Sequence, residues 1–203
     1  MTEYSLRAVV FDIGNVLVQW DVHAAFRAEL GDDTAIAAFL ARCDFYARNL
    51  RADGGTKWQD LAAEIEDPAD RALFASYPAR FSGSITTAIE PTWAVMETLR
   101  ARGLAIHAIT NWSAETWPIG LATHPRLATA FGVTVVSGHE QLLKPDPRIF
   151  ATFCARAGLA PRECLFIDDS AKNIQSAHDF GMDALLYTGS DSLVAELALR
   201  GLL

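Results

Sequence analysis

The feature that most constrains this chain is an aspartate standing at the end of an apolar run. Ala8-Val9-Val10-Phe11 carries no polar residue and leads straight into Asp12-Ile13-Gly14-Asn15. A continuous apolar run, rather than an alternating one, fits a strand buried on both faces, as in a parallel sheet. Parallel sheets bind ligands beyond the carboxyl ends of their strands, and Asp12 stands at such an end. Gly14 and Asn15 follow as a tight turn, since both residue types tolerate unusual backbone angles. Two readings of Asp12 are open on this stretch alone: a nucleophile beside Mg2+, or a turn-capping residue after a core strand.

From Asp21 to about Ile89 the apolar spacing is helical. Val22, Phe26 and Leu30 recur every four residues; Ile36, Phe39, Leu40 and Cys43 make a second face. Trp58, Leu61, Ala62 and Ile65 make a third, and Leu73, Phe74 and Tyr77 a fourth, so about four helices are expected here. After Glu90-Pro91 helices and strands alternate. Helices are expected over 91–102, from Asp146-Pro147 onward, and over 170–180 and 191–200; strands over 104–110, 133–137, 164–167 and 184–187. Such alternation predicts an α/β fold with a doubly wound parallel sheet. Residues 1–16 and 91–203 would form the Rossmann-like core, and 17–90 an inserted helical-bundle cap.

At 203 residues, 51% hydrophobic and 21% charged, the chain is long and apolar enough for a substantial core. Its 17 Lys and Arg against 25 Asp and Glu give a net charge of -8, which argues against nucleic acid as a partner. No apolar run approaches the length of a membrane span. The start Met1-Thr2-Glu3-Tyr4 lacks the basic and apolar segments of a signal peptide, so a cytoplasmic location is expected. Cys43, Cys154 and Cys164 are odd in number and widely spaced, and read as buried free thiols.

The other predicted strands also end in polar groups. One ends in Thr110-Asn111, another in Asp168-Asp169-Ser170, and Lys144 lies between them. In a parallel sheet all would meet at one edge. Adjacent carboxylates repel unless a cation compensates. Asp12, Asp168 and Asp169 are hard oxygen ligands that suit Mg2+. Thr110 and Asn111 can bond phosphate oxygens, and Lys144 supplies a point positive charge. A carboxylate can accept a phosphoryl group and pass it to water.

Together these segments resemble the haloacid dehalogenase superfamily, whose members are mostly Mg2+-dependent phosphatases. Phe11-Asp12-Ile13-Gly14-Asn15-Val16 is similar to its first motif and Ile109-Thr110-Asn111 to its second. Lys144-Pro145-Asp146 resembles the third, and Phe166-Ile167-Asp168-Asp169-Ser170 with Asn173 the fourth. The likeness spans essentially the whole chain and looks closest to bacterial glucose-1-phosphatase-like members. It implies Asp12 as nucleophile, and Thr110, Asn111 and Lys144 as phosphate-binding residues, Lys144 also steadying the nucleophile. Asp12, Asp169, Asp168 and the Gly14 carbonyl would hold Mg2+, with Ser170 and Asn173 orienting the carboxylates. The implied substrate is a small phosphorylated metabolite, sugar phosphates included; monomer and homodimer are both open.

One departure stands out. Most phosphatases of that family carry a second aspartate two residues after the nucleophile, as proton donor, and this chain has Gly14 there. Asp21 and His23 are the nearest replacements, though both fit a helix start. Trp20, Phe45, Tyr46, Trp58 and Trp112 are candidates to line the pocket. Two alternatives stay open: a metal-independent 2-haloacid dehalogenase-type hydrolase using Asp12, which the Asp168-Asp169 pair disfavours, and a non-catalytic phosphate-binding module.

Overall fold

The computed structural model describes residues 6–203. Strand β1 (Ala8–Phe11) is central in a five-stranded sheet with β2 (Ala105–Thr110), β3 (Thr134–Val136), β4 (Cys164–Asp168) and β5 (Asp183–Leu186), in the order β3-β2-β1-β4-β5. Every pairing is parallel. The β1 side chains divide between two cores: Val9 and Phe11 face one, Ala8 and Val10 the other. That division explains the unbroken apolar run, because neither face of the strand meets water.

Between β1 and the long helix that precedes β2, the chain makes six helices: α1 (Val22–Leu30), α2 (Asp33–Arg42), α3 (Phe45–Asp53), α4 (Trp58–Ala63), α5 (Pro68–Ala75) and α6 (Tyr77–Ser84). Apolar spacing led to about four. Helix α3 is absent from that reading because its apolar residues form no single stripe: Phe45 and Ala52 are buried while Tyr46 and Leu50 are exposed. The face containing Leu73, Phe74 and Tyr77 is split at Ser76, which ends α5 and precedes Pro78. The helices share an aromatic interior in which Phe45 and Tyr77 lie 4.9 Å apart, edge to face, as do Phe26 and Phe39. This interior belongs to the same apolar cluster as one face of the sheet.

The remaining helices are α7 (Glu90–Ala101), α8 (Trp117–Thr123), α9 (Ser137–Glu140), α10 (Pro147–Ala157), α11 (Ala171–Phe180) and α12 (Ser190–Leu199). The short helices α8 and α9 carry no periodic apolar signal. The three cysteines are free and buried. Among the described residues no helix is long and apolar enough to cross a membrane.

Two glycines serve the fold in different ways. The left-handed residue of the turn after β1 is Asn15, with φ 55, while Gly14 has no positive φ. A Cβ on Gly14 would meet nothing within 4 Å. Gly138 in α9 packs backbone against backbone: a Cβ there would lie 2.8 Å from the Trp112 carbonyl oxygen and 2.9 Å from the Ser113 carbonyl carbon. Gly138→Ala should therefore destabilise the fold by about 1–3 kcal/mol in urea denaturation. Gly14→Ala should stay within about 0.5 kcal/mol of the parent.

Candidate active site

Parallel register sets the first elements of the site. Phe11 pairs with Ile167 on one side and Ala108 on the other. Asp12 therefore follows level with Asp168, and its N–H donates to the Ile167 carbonyl at 2.8 Å. Neighbouring strands lie about 4.8 Å apart. Two buried carboxylates at that spacing stay ionised together only beside a cation.

Lys144 supplies it. Its Nζ lies 2.9 Å from Asp12 Oδ1 and 2.7 Å from Asp168 Oδ2, and donates to the Ile109 carbonyl at 3.0 Å. All three ammonium protons are thereby used. The lysine is 2% exposed and Asp168 fully buried. The two partner carboxylates hold the ammonium charged against the cost of its burial, and its pKa lies above the ordinary value.

Asn111 positions this lysine. Its Nδ2 donates to the Lys144 carbonyl at 3.0 Å, and its Oδ1 accepts from the Lys144 N–H at 2.9 Å. One amide hydrogen of Asn111 is therefore committed to the loop, leaving the other for a ligand. Thr110 Oγ1 is buried and has no hydrogen-bond partner among the described residues. Asn173 Nδ2 donates to both Asp168 oxygens, at 2.9 and 3.1 Å, and the Ser170 N–H donates to Oδ1 at 2.8 Å. Ser170 thus reaches Asp168 through its backbone rather than its hydroxyl.

Asp12 Oδ1 also accepts from the Ile13 N–H at 2.7 Å. Its other oxygen takes no hydrogen bond from the described residues, so one oxygen is held while the other is left for chemistry. Asp12, Asp168 and Asp169 each offer an oxygen within 4.8 Å of the others. Burial pushes the Asp12 carboxyl up from 3.8 to about 7; Lys144 opposes this, and Asp168 and Asp169 add to it. The more exposed Asp169 is also raised, first by burial and then by Asp168. Three carboxylates against one ammonium is a donor set that fits a hard divalent cation.

A cavity of about 160 Å³ opens in front of this cluster, lined by Asp12, Gly14, Asp169 and Asn111, with Trp20 and Asp53 also in its wall. Of the expected aromatics, Trp20 and Trp112 line it. Phe45 and Trp58 are instead buried in the aromatic interior, and Tyr46 is exposed, edge-on to Trp20. Asp21 caps α1 through the His23 N–H, and His23 Nδ1 meets Asp33 at 3.1 Å. Neither residue is in the cavity wall. Lys144, Asp168 and Thr110 form a buried layer outside that wall.

A model of haloacid dehalogenase-like hydrolases matches residues 6–181. The chain belongs to the haloacid dehalogenase-like hydrolase family. Among curated relatives of this hydrolase, flavin mononucleotide hydrolase 1 of Arabidopsis thaliana is 31% identical over 108 residues, covering 53% of this chain and 43% of that one. A phosphoglycolate phosphatase of Thiobacillus denitrificans is 31% identical over 128 residues, covering 60% and 56%. The matches thus span about half the length of these two relatives. A HAD-like family hydrolase from Porphyromonas gingivalis shares the fold, with a TM-score of 0.70 at 21% identity over 96% of this chain and 97% of that one.

Sequence reading missed Asp53 and Asn49 in this hydrolase's cavity wall. Their helix, α3, shows no continuous apolar stripe in sequence. It also missed Ser137, whose Oγ donates to the Asp53 carbonyl at 2.6 Å and accepts from the Trp112 N–H at 2.9 Å.

Lys144→Met should cost about 3–5 kcal/mol at about pH 8, because it leaves two buried carboxylates without their cation. The folded pKa of Asp12 lies above its ordinary value, so the protonated carboxyl favours the folded state below about pH 7 and that contribution is lost as pH rises through it. The penalty of the substitution should therefore shrink toward about pH 5, as read by urea denaturation at the two pH values.

Proposed function

We propose that this hydrolase is a Mg2+-dependent phosphatase of small phosphorylated metabolites, sugar phosphates among them, acting through a phosphoryl group carried on Asp12. The observation that carries this reading is the convergence of Asp12, Asp168 and Asp169 oxygens within 4.8 Å, with Lys144 seated against two of them. The phosphatases among the curated relatives support it. So does the unpartnered Thr110 hydroxyl: leaving such a group unpaired costs about 1–3 kcal/mol, which a phosphoryl oxygen would relieve.

In this mechanism the free oxygen of Asp12 attacks phosphorus while Lys144 and the Ile13 N–H hold the other oxygen in place. The second amide hydrogen of Asn111 and the Thr110 hydroxyl take phosphoryl oxygens. Lys144 offsets part of the charge at the carboxylates. Asp12, Asp169 and Asp168, with the Gly14 carbonyl, would hold Mg2+, which when bound offsets negative charge on the transferring group. Ser170 and Asn173 keep Asp168 oriented. The inserted helices, with their boundary placed at 17–90, limit access of water and select the leaving group.

A panel of sugar phosphates, nucleotides and other small phosphate esters, assayed for phosphate release with Mg2+ and with chelator, tests the reading. Asp12→Asn should lower turnover at least about 10⁴-fold. Chloride release from a 2-haloacid without phosphate release from any ester would replace this reading with the dehalogenase one. Independently of activity, Mg2+ at about a hundred times its Kd should stabilise the fold by about 2.7 kcal/mol. For a chain of this size that raises Tm by about 5–10 °C. Protons compete for the raised Asp12 and Asp169 carboxyls, so the shift should be larger at about pH 8 than at about pH 5.5.

A further inference from the structure

An ester oxygen that leaves phosphorus as an alkoxide needs a proton. Building on the phosphatase reading, we propose that Asp53, the last residue of α3, donates that proton and then serves as base for the water that clears Asp12. The cavity wall carries three titratable side chains, Asp12, Asp53 and Asp169. Asp12 and Asp169 belong to the carboxylate cluster, and Asp53 lies outside it. Gly14 brings no side chain, and the space a Cβ would enter there is open.

Asp53 is built into the site. Asn49 Nδ2 donates to its Oδ2 at 2.9 Å. Its carbonyl accepts from Ser137 Oγ, and that same oxygen accepts the N–H of Trp112, the residue after Asn111. One hydroxyl therefore ties the carboxyl's backbone to the loop proposed to hold the phosphoryl group. This placement is not that of a solvated helix end, for Asp53 is only 9% exposed. Burial pushes its carboxyl up to about 7, against the Ser113 N–H; Asp12 adds to the rise, while Asn49 and Lys144 oppose it. Standing at a helix C-terminus also disfavours its charged form. A proton is thus held near neutral pH by a group that can release it.

The steps balance. The Asp12 carboxylate forms a bond to phosphorus as the phosphorus–oxygen ester bond breaks. The electron pair goes to the ester oxygen, which takes the Asp53 proton and departs as alcohol. Asp53, now a carboxylate, removes a proton from water as the water oxygen attacks phosphorus. The bond to Asp12 breaks, inorganic phosphate leaves, and both aspartates return to their starting states.

The test compares Asp53→Asn with the parent on an alkyl phosphate and on 4-nitrophenyl phosphate, whose leaving phenolate needs little protonation. For the alkyl ester kcat/KM should fall about 10²–10⁴-fold. For 4-nitrophenyl phosphate the fall should be at least about tenfold smaller. Because water attack also slows, the variant should release nitrophenolate in a burst. Asp53→Ser, with a smaller neutral side chain, should show the same split, and an unchanged Mg2+-induced Tm shift certifies each variant's fold. Equal losses on both esters in a folded variant, or no loss on either, would overturn the assignment. The alkyl ester is one that the parent hydrolyses in the panel above; a parent that releases phosphate from no ester of that panel would instead bring down the phosphatase reading itself, and this inference with it.

Discussion

Everything at this sheet edge depends on one buried ammonium. The parallel register that brings β1 and β4 together also sets Asp12 beside Asp168, and neither carboxylate can lean away into solvent. Two like charges at that separation would push the strand ends apart or take up protons. Lys144 resolves the conflict by spending its three donors on Asp12, Asp168 and the Ile109 carbonyl, so one side chain joins the ends of β1, β2 and β4. Buried pairs of this kind contribute little net stability, because desolvation offsets the attraction. What they give is position. Lys144 and the Ile13 N–H hold one oxygen of Asp12, so the orientation of the other follows.

The inserted helices are coupled to this edge by polar bonds as well as apolar packing. Ser137 links the Asp53 carbonyl to the Trp112 N–H, and the Glu115 carboxylate accepts the Trp58 N–H at 2.8 Å. Gly138 lets α9 press against the Trp112–Ser113 backbone without a side chain between them. The C-terminal end of α3 is therefore registered to the strand ends rather than to the aromatic interior alone. Apolar packing tolerates small slides; hydrogen bonds at 2.6 to 2.9 Å do so far less.

The sheet was legible in the sequence because strands buried on both faces read as short apolar runs, and the polar residues ending them stand out by contrast. Asp12, Thr110, Asn111, Asp168 and Asp169 were visible on that basis, whereas Lys144 stands in the loop before α10 and was picked out as the cation between two such strand ends. What stayed hidden came from tertiary contact. Helix α3 reads Phe45-Tyr46-Ala47-Arg48-Asn49-Leu50-Arg51-Ala52-Asp53, and a charge just before Gly54 looks like a solvated helix end. Only the fold turns Asp53 into a buried cavity residue. Composition could not separate the roles of Gly14 and Asn15, since either could take a left-handed angle; Asn15 takes it and Gly14 leaves space. Nor could spacing show that the Asn111 amide is half occupied by the Lys144 backbone.

Charge at the cavity sets what can enter. Asp12, Asp53 and Asp169 line it, while the ammonium of Lys144 lies outside its wall. Were all three ionised, a dianionic phosphate would meet a net negative mouth on a protein already at -8. Burial answers part of this by raising the Asp53 carboxyl to about 7, so near neutral pH a share of the molecules present a neutral hydrogen-bond donor there in place of a repelling charge. A divalent cation between Asp12 and Asp169 would answer the rest. In the proposed reaction, then, the low polarity that lets Asp53 keep its proton until the ester oxygen needs it is the same condition that lets the anionic substrate approach. Opening that end of the cavity to water would weaken both together.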